Sequence, residues 1–184
     1  MTKTRRFSAA FLAVFSLFAA SAALAGCDDP LGFDPQLLPD TVTLAAPTSA
    51  STLPSAIDLA VLNALRRPEL PVDAQSWDLQ LRQEGAAFSF APFPQVGSRR
   101  GAGLAPTSEG FDDADSAPRG REDYTRTRVA ITVGQTYFVQ TRETSNCLTP
   151  KYAVIKVLSV DAAAGTATVA VRSNQNCDDE RLTF

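Results

Sequence analysis

The chain has 184 residues, with 17 Lys and Arg against 20 Asp and Glu, so its formal net charge is −3. This length suits one ordinary domain, and the acidic balance gives no electrostatic reason to bind nucleic acid or anionic lipid head groups. No histidine is present, the single methionine is the first residue, and no Gly-x-Ser-x-Gly motif occurs, so we expect a protein that is not an enzyme and holds no metal or other cofactor.

Residues 1–26 have the three parts of an export signal. Lys3, Arg5 and Arg6 come first, an apolar run follows, and small residues lead up to Gly26. The apolar run is interrupted by serines and is short for a membrane span of roughly 20 residues, so a signal peptide is favoured over a retained transmembrane helix.

The segment Leu24-Ala25-Gly26-Cys27 resembles the bacterial lipobox, in which a cysteine is acylated and the peptide bond before it is cut. We therefore expect Cys27 to carry acyl chains such as palmitate and to anchor the protein in a membrane of the bacterial cell envelope. The location would be the outer membrane or the periplasmic face of the inner membrane. Several chains are needed, because one acyl chain anchors only reversibly. The alternative is an ordinary signal peptide cleaved near Ala25, with Cys27 as an incidental thiol.

Cleavage would leave 158 residues with 14 Lys and Arg against 20 Asp and Glu, a formal charge of −6, because the three cations of the signal are lost. With Cys27 acylated, Cys147 and Cys177 form an even pair in a compartment where disulfides persist, and we predict that they are joined. The closed loop of 31 residues would contribute about 3.5 to 4 kcal/mol by loop entropy. Two free buried thiols are the alternative.

Residues 27–40 are rich in Pro, Asp and Gly and predict a flexible lipidated tether, followed by a β-rich domain over residues 41–184. A first short strand is expected at residues 41–46. The apolar residues of segment 57–62 fit a strand or a short helix, and the prolines that follow would end either one.

The clearest strand pattern is at residues 77–82, where Trp and Leu alternate with polar side chains and predict a half-buried strand. Residues 83–85 predict a turn. Phe88 and Phe90 alternate with small residues and predict an antiparallel partner across the same core face.

Residues 92–123 contain many prolines, glycines and charges, and predict a long loop. A connection of about 30 residues far exceeds the usual length, which indicates a functional surface loop or local disorder. We hypothesise that any ligand or partner meets the protein at this loop.

The remaining segments predict a sheet. Residues 128–142 predict two strands or one bent strand, and residues 152–160, apolar on both faces, predict a central strand. Residues 161–165 predict a hairpin loop that leads to a returning strand at 166–171. The fold class is thus all-β, with a single antiparallel sheet or sandwich-like domain. The expected core comprises Trp77, Leu79, Leu81, Phe88, Phe90, Ile131, Phe138, Val154, Ile155, Val157, Leu158 and Val169.

Two acidic clusters and one glycine-rich loop are the remaining candidate sites. The clusters are Asp112, Asp113 and Asp115, and Asp178, Asp179 and Glu180. Carboxylates suit calcium, but neither cluster fits a calcium-loop pattern, so solvated surface charge is favoured. Residues 98–103 resemble an anion-binding loop only in composition, and a flexible loop is favoured.

Four segments occur in an order that resembles the HmuY-type β-rich surface lipoproteins. They are residues 77–82, 135–141, 151–157 and 165–169, and the resemblance covers about residues 41–175. It implies a β-rich fold on an envelope lipoprotein. Haem-binding members of that family hold iron through His or Met, which the mature chain lacks.

Tyrosinate can also hold haem iron, so Tyr124, Tyr137 and Tyr152 are conceivable axial ligands, although packing in the core or at its rim is favoured for each. We expect a non-catalytic envelope lipoprotein that acts as a binding or structural surface protein. Its partners would be the membrane, through the anchor, and a small ligand or an envelope protein, but no nucleic acid. A haem or other tetrapyrrole carrier is the first alternative. The second is an envelope enzyme with carboxylate chemistry, which would need two acids converging in a concave pocket.

Overall fold

The fold is seen in a computed structural model, which describes residues 34–47 and 52–183. The described strands are β1 (Leu37–Ala45), β2 (Ala56–Asp58), β3 (Ala64–Arg66), β4 (Leu79–Glu84), β5 (Ala87–Pro92), β6 (Gly103–Thr107), β7 (Val129–Ala130), β8 (Thr136–Gln140), β9 (Tyr152–Asp161) and β10 (Thr166–Asn174). A single 3-10 turn at Arg121–Asp123 is the helical element of this part of the chain. Residues 1–26, Cys27 and the first part of the expected tether lie outside the described residues.

Two antiparallel five-stranded sheets form a sandwich. Sheet A has the order β1-β10-β9-β8-β6, and sheet B has the order β3-β2-β4-β5-β7. Leu44, Val139 and Ile155 from sheet A pack with Leu81 and Phe90 from sheet B in one buried cluster, which confirms the all-β, sandwich-like fold class. In the part of the chain that the structure describes, no helix has both the length and the apolar character needed to cross a membrane.

The two predicted hairpins are present. Strands β4 and β5 pair from Leu79↔Pro92 to Glu84↔Ala87, and β9 pairs with β10 around the turn at residues 162–165. Gly85 and Gly165 adopt φ of 61° and 68°, a left-handed conformation that costs glycine little. Strand β9 is the third strand of sheet A, as its apolar character on both faces predicted.

The outer face of sheet A is covered by a second apolar cluster. Phe138, Tyr152 and Val154 point to this side and pack with residues of the segment after β6 and with Leu182 near the C-terminus. The backbone N–H of Leu182 donates to the carbonyl of Asp115 at 2.7 Å, so the covering segment is fixed to the chain end. This cover explains why β9 is apolar on both faces.

The predicted loop at residues 92–123 is wrong in part. Pro92 belongs to β5, and β6 lies inside the segment, paired with β8 from Gly103↔Gln140 to Thr107↔Thr136. Proline is tolerated in β6 because this strand is at the edge of sheet A. Gly103 has no room for a side chain, because an added Cβ would lie 2.8 Å from Cβ of Tyr124.

Three smaller expectations also need correction. Strand β1 begins at Leu37, inside the segment assigned to the tether, because it pairs with β10 over nine residues. Leu158 is 42% exposed, unlike the rest of the expected core, because it follows the inward-facing Val157 and so lies on the outer face of β9, where the second apolar cluster does not include it. The polar face of the 77–82 segment is largely buried, since Asp78 and Gln80 are 0% and 2% exposed and only Arg82 is partly exposed.

Two open alternatives are resolved. Segment 57–62 is neither a helix nor one strand, because β2 ends at Asp58 and a turn follows before β3. Segment 128–142 forms two strands in different sheets, since β7 pairs with β5 and β8 pairs with β9. The chain changes sheets near Gly134, whose φ is 87°.

Candidate functional site

A buried cluster of charges joins the two sheets at one end of the sandwich. Asp58 ends β2, Asp78 precedes β4 and Arg142 follows β8, so sheet B supplies the acids and sheet A supplies the cation. The guanidinium of Arg142 donates to both carboxylate oxygens of Asp58, at 2.8 and 3.1 Å. Its Nη1 lies 3.1 Å from Oδ1 of Asp78. The three side chains therefore form an ion-paired link between the sheets.

Backbone groups complete this cluster. Asp78 accepts hydrogen bonds from the backbone N–H of Arg142 at 2.8 Å and of Ala60 at 2.9 Å. Asp58 also accepts one from Nη2 of the half-buried Arg66 at 3.3 Å. Both carboxylates are thus held by several donors, and their side chains are at most 1% exposed.

The electrostatics follow from burial. Burial raises the pKa of Asp78, as does the neighbouring charge of Asp58, while Arg142 opposes the shift. Burial lowers the pKa of Arg142, but hydrogen bonds and charge from the two aspartates outweigh it, so the pKa of the guanidinium is raised. The two acids converge on the guanidinium of Arg142, and the remaining donors differ, since Asp78 is held by backbone N–H groups and Asp58 by Arg66.

A cleft opens above this cluster and has two adjoining hollows. The inner hollow has a volume of about 580 Å³ and is lined by Asp58, Arg66 and Lys151, among others. The outer hollow, about 490 Å³, is lined by the 96–100 turn and the start of the β8–β9 loop. Both hollows share the lining residues Ser76, Arg142, Thr144 and Ser145. We call the two hollows together the end cleft.

The end cleft has more cations than acids. Its charged lining residues are Arg66, Arg99, Arg100, Arg142 and Lys151 against Asp58 and Glu143. Five cations against these two acids give the lining an excess of positive charge, which narrows to five against four when Asp73 and Asp78, the ion-pair partners of Arg66 and Arg142, are counted. Such a concentration of one sign in a cleft attracts ligands of the opposite sign.

The disulfide fixes one wall of the inner hollow. Cys147 and Cys177 are bonded, as predicted, with their Cα atoms 5.9 Å apart. Both cysteines line the inner hollow, and the bridge ties the β8–β9 loop to the segment after β10. Within the loop, the backbone N–H of Thr144 donates to the carbonyl of Cys147 at 2.9 Å. The disulfide and this hydrogen bond therefore restrain the backbone of the loop residues that line the cleft.

A hairpin tip forms another part of the lining of the inner hollow. Leu62 and Asn63 have φ of 53° and 54°, a conformation that is uncommon for leucine. Asn63 is held by donating to the carbonyl of Leu38 at 3.2 Å and by accepting from the hydroxyl of Ser173 at 2.8 Å. Leu62 is 67% exposed and lines the inner hollow. The tip thus presents an apolar side chain at the rim of a cationic cleft.

The 92–123 segment, which we expected to meet a ligand, lines the cleft in one part and packs against sheet A in another. Residues 96–100 line the outer hollow, whereas Phe111 and Ala117 pack on the outer face of sheet A. The glycine-rich 98–103 stretch is a turn followed by the start of β6, and it contributes Arg99 and Arg100 to the cleft.

The acidic clusters show no arrangement suited to a metal. In the described ranges, no group of three or more acidic or cysteine side chains is placed to hold a metal ion. Asp179 forms an ion pair with Arg181 at 2.9 Å, and Glu180 forms one with Arg119. Burial raises the pKa of Asp179, but hydrogen bonds from Arg181 and neighbouring asparagines lower it to about 2.

The three tyrosines are buried, with at most 5% of each residue exposed. Tyr124 donates to the carbonyl of Pro118 at 2.6 Å, and Tyr137 donates to that of Ala130 at 3.1 Å. Burial raises the pKa of Tyr124, Tyr137 and Tyr152 alike. None of the three lines the end cleft.

Sequence patterns missed the charge cluster because its members look ordinary in isolation. Asp78 occupies a polar position in an alternating segment, and Arg142 lies 64 residues further on. The one local signal is the position of Arg142 directly after a fully buried strand. No family model, curated protein or solved structure matches this chain.

Proposed function

We propose that the protein is a non-catalytic lipoprotein of the bacterial cell envelope that binds a small anionic ligand in the end cleft. The observation that carries the binding function is the excess of positive charge lining that cleft. Acyl chains on Cys27 would hold the domain at the outer membrane or at the periplasmic face of the inner membrane.

Cleft size and polarity support a small ligand. Each hollow falls in the range of about 300 to 1,000 Å³ that is typical of ligand pockets. The shared wall offers the hydroxyls of Ser76, Thr144 and Ser145 as donors and acceptors. The cations supply attraction, and the hydroxyls supply orientation.

The anchor is supported by the sequence order of cationic residues, an apolar run and a lipobox ending at Cys27. Mass spectrometry of the native protein tests it. We expect an N-terminal peptide that begins with acylated Cys27, and we expect Cys27→Ser to remain uncleaved and unacylated. A native protein that keeps its first 26 residues would contradict the anchor without touching the binding proposal.

Binding is tested by isothermal titration of the mature domain, disulfide intact, with succinate and with inorganic phosphate. We expect binding of at least one anion that weakens as salt is added, because salt screens exposed charges. The chain offers a matched pair of lysines. Lys151→Gln should weaken binding, whereas Lys156→Gln should not, because Lys156 lies on β9 and does not line the cleft. Equal effects of both substitutions would count against the cleft.

A further inference from the structure

Ion pairs neutralise three of the five cations in the end cleft. Arg142 is paired with Asp58 and Asp78, and Arg66 lies 3.3 Å from Asp58. Arg100 forms an ion pair with Glu143 at 3.0 Å. The charges of these three cations are therefore largely balanced by carboxylates of the protein.

Lys151 is the remaining cation of the inner hollow. Its ammonium donates to the carbonyl of Ala60 at 2.8 Å and to Oε1 of Gln175 at 3.2 Å, both of which are neutral oxygens. An ammonium has three donors, so one is left for a ligand. Burial lowers the pKa of Lys151, although the charges of Asp58 and Asp78 oppose this, so the ammonium is less favoured than in water. An anion in the inner hollow would stabilise it.

Arg99 is the remaining cation of the outer hollow. Its side chain forms no ion pair with any acid in the described ranges. The backbone around it is ordered, because Val96 and Arg99 exchange hydrogen bonds at 3.1 and 3.2 Å across a tight turn. Behind it, the ring of Phe93 is packed edge-on against Trp77 with centroids 5.0 Å apart, which gives this hollow a rigid base.

The two hollows thus each contain one cation without a carboxylate partner, on either side of a shared polar wall. We infer that the ligand is an elongated molecule with two anionic groups, one bound at Lys151 and the other at Arg99, with a polar middle along Ser76, Thr144 and Ser145. This inference rests on the proposed function and specifies its ligand class. Carboxylates and phosphates share the required chemistry.

The test compares anions with one and two charged ends on the mature domain. Succinate, adipate and suberate form the carboxylate arm, butanediol bisphosphate the phosphate arm, and butyrate and butyl phosphate are the single-ended controls. We expect at least one double-ended anion to bind about tenfold more tightly than the single-ended anion of the same chemistry, because the second group binds as an intramolecular event. The arm that shows this gain identifies the source chemistry.

Substitutions then assign the two ends. Arg99→Gln should weaken the double-ended anion about fivefold, as expected for one exposed ion pair, and Lys151→Gln should weaken it about tenfold because Lys151 is half-buried. In the variant that carries both substitutions, the double-ended anion and its single-ended control should bind with the same affinity. Arg128→Gln is the matched control, because Arg128 pairs with Glu84 away from the cleft.

The outcomes separate the two proposals. Equal binding of single-ended and double-ended anions, with an effect of Lys151→Gln alone, would overturn the two-ended ligand and leave the anion-binding function in place. Absence of binding by every anion would overturn both. An unchanged affinity in Arg99→Gln would overturn the assignment of the outer hollow.

Discussion

Replacing Arg142 by methionine removes the cation of the cross-sheet cluster while keeping an unbranched apolar side chain in place of the arginine stem. Asp58 would lose two hydrogen bonds, at 2.8 and 3.1 Å, and keep only the longer one from Arg66. Asp78 would keep its two backbone donors, because the substitution leaves the N–H of residue 142 in place. Since breaking a buried ion pair by removing one partner costs about 3 to 5 kcal/mol, we expect Arg142→Met to lose about that much.

The cost arises from uncompensated carboxylates, so it should depend on pH. Burial already raises the folded pKa of Asp78, and Arg142 is the group that opposes the rise, so its removal should raise the pKa further. A carboxyl whose pKa is raised on folding favours the folded state at low pH, and that contribution is lost as the pH rises through the folded pKa. Arg142→Met should therefore be closest to the wild type at pH about 4 and furthest from it at pH about 7.

Urea unfolding of the mature domain measures the loss, with the fluorescence of Trp77 as the probe, because this single tryptophan is buried near the cluster. The matched control combines Arg142→Met with Asp58→Asn and Asp78→Asn, and should recover most of the stability because no buried charge is left unpaired. A loss below about 1 kcal/mol at neutral pH, or a loss that the triple variant shares in full, would refute the reasoning.

Three further outcomes are expected from other parts of the fold. Replacing both Cys147 and Cys177 by serine should lower the free energy of unfolding by about 3.5 to 4 kcal/mol, and chemical denaturation that matches the wild type would contradict the loop-entropy argument. Asp179→Asn should cost about 1 kcal/mol at neutral pH, because the ion pair is partly exposed. The pKa of Asp179 is lowered to about 2 from an ordinary 3.8, so the difference in stability between Asp179→Asn and the wild type should disappear as the pH falls through that interval. Thermal unfolding curves recorded at several pH values would show this. Gly101→Ala should destabilise the domain by about 1 to 3 kcal/mol, because the added Cβ would lie 2.3 Å from the carbonyl oxygen of Phe93, and an unchanged melting temperature would argue against this close approach.

Local patterns predicted the parts of the fold that depend on neighbouring residues. Alternation and a glycine turn are sufficient for the β4–β5 hairpin, and Gly165 marks the turn of the β9–β10 hairpin. Strand β6 was missed because Leu104 is its one large apolar residue and Pro106 is atypical of a strand. Its pairing with β8 depends on a partner about 30 residues away, which periodicity does not reveal.

The candidate site was predicted only at its edges. The pairing of Cys147 with Cys177 was predicted from the cysteine count and the expected compartment, and the length of the 92–123 segment suggested a ligand contact, of which the structure shows only that residues 96–100 line the cleft. The burial of Asp78 was missed because its polar position in an alternating segment predicts solvation. Only the folded chain brings Arg142 to this carboxylate, so a contact that spans 64 residues has no local signature.

Backbone NMR during titration with a double-ended anion tests binding at the end cleft most directly. If the cleft binds, chemical shift changes should concentrate in the hairpin tip at Leu62 and Asn63, the 96–100 turn and the 142–151 loop. Lys151→Gln should reduce the changes at the tip more than those at the 96–100 turn. Changes that instead follow the exposed arginines around the whole domain, Arg128 included, would show nonspecific charge screening and contradict a binding site at the end of the sandwich.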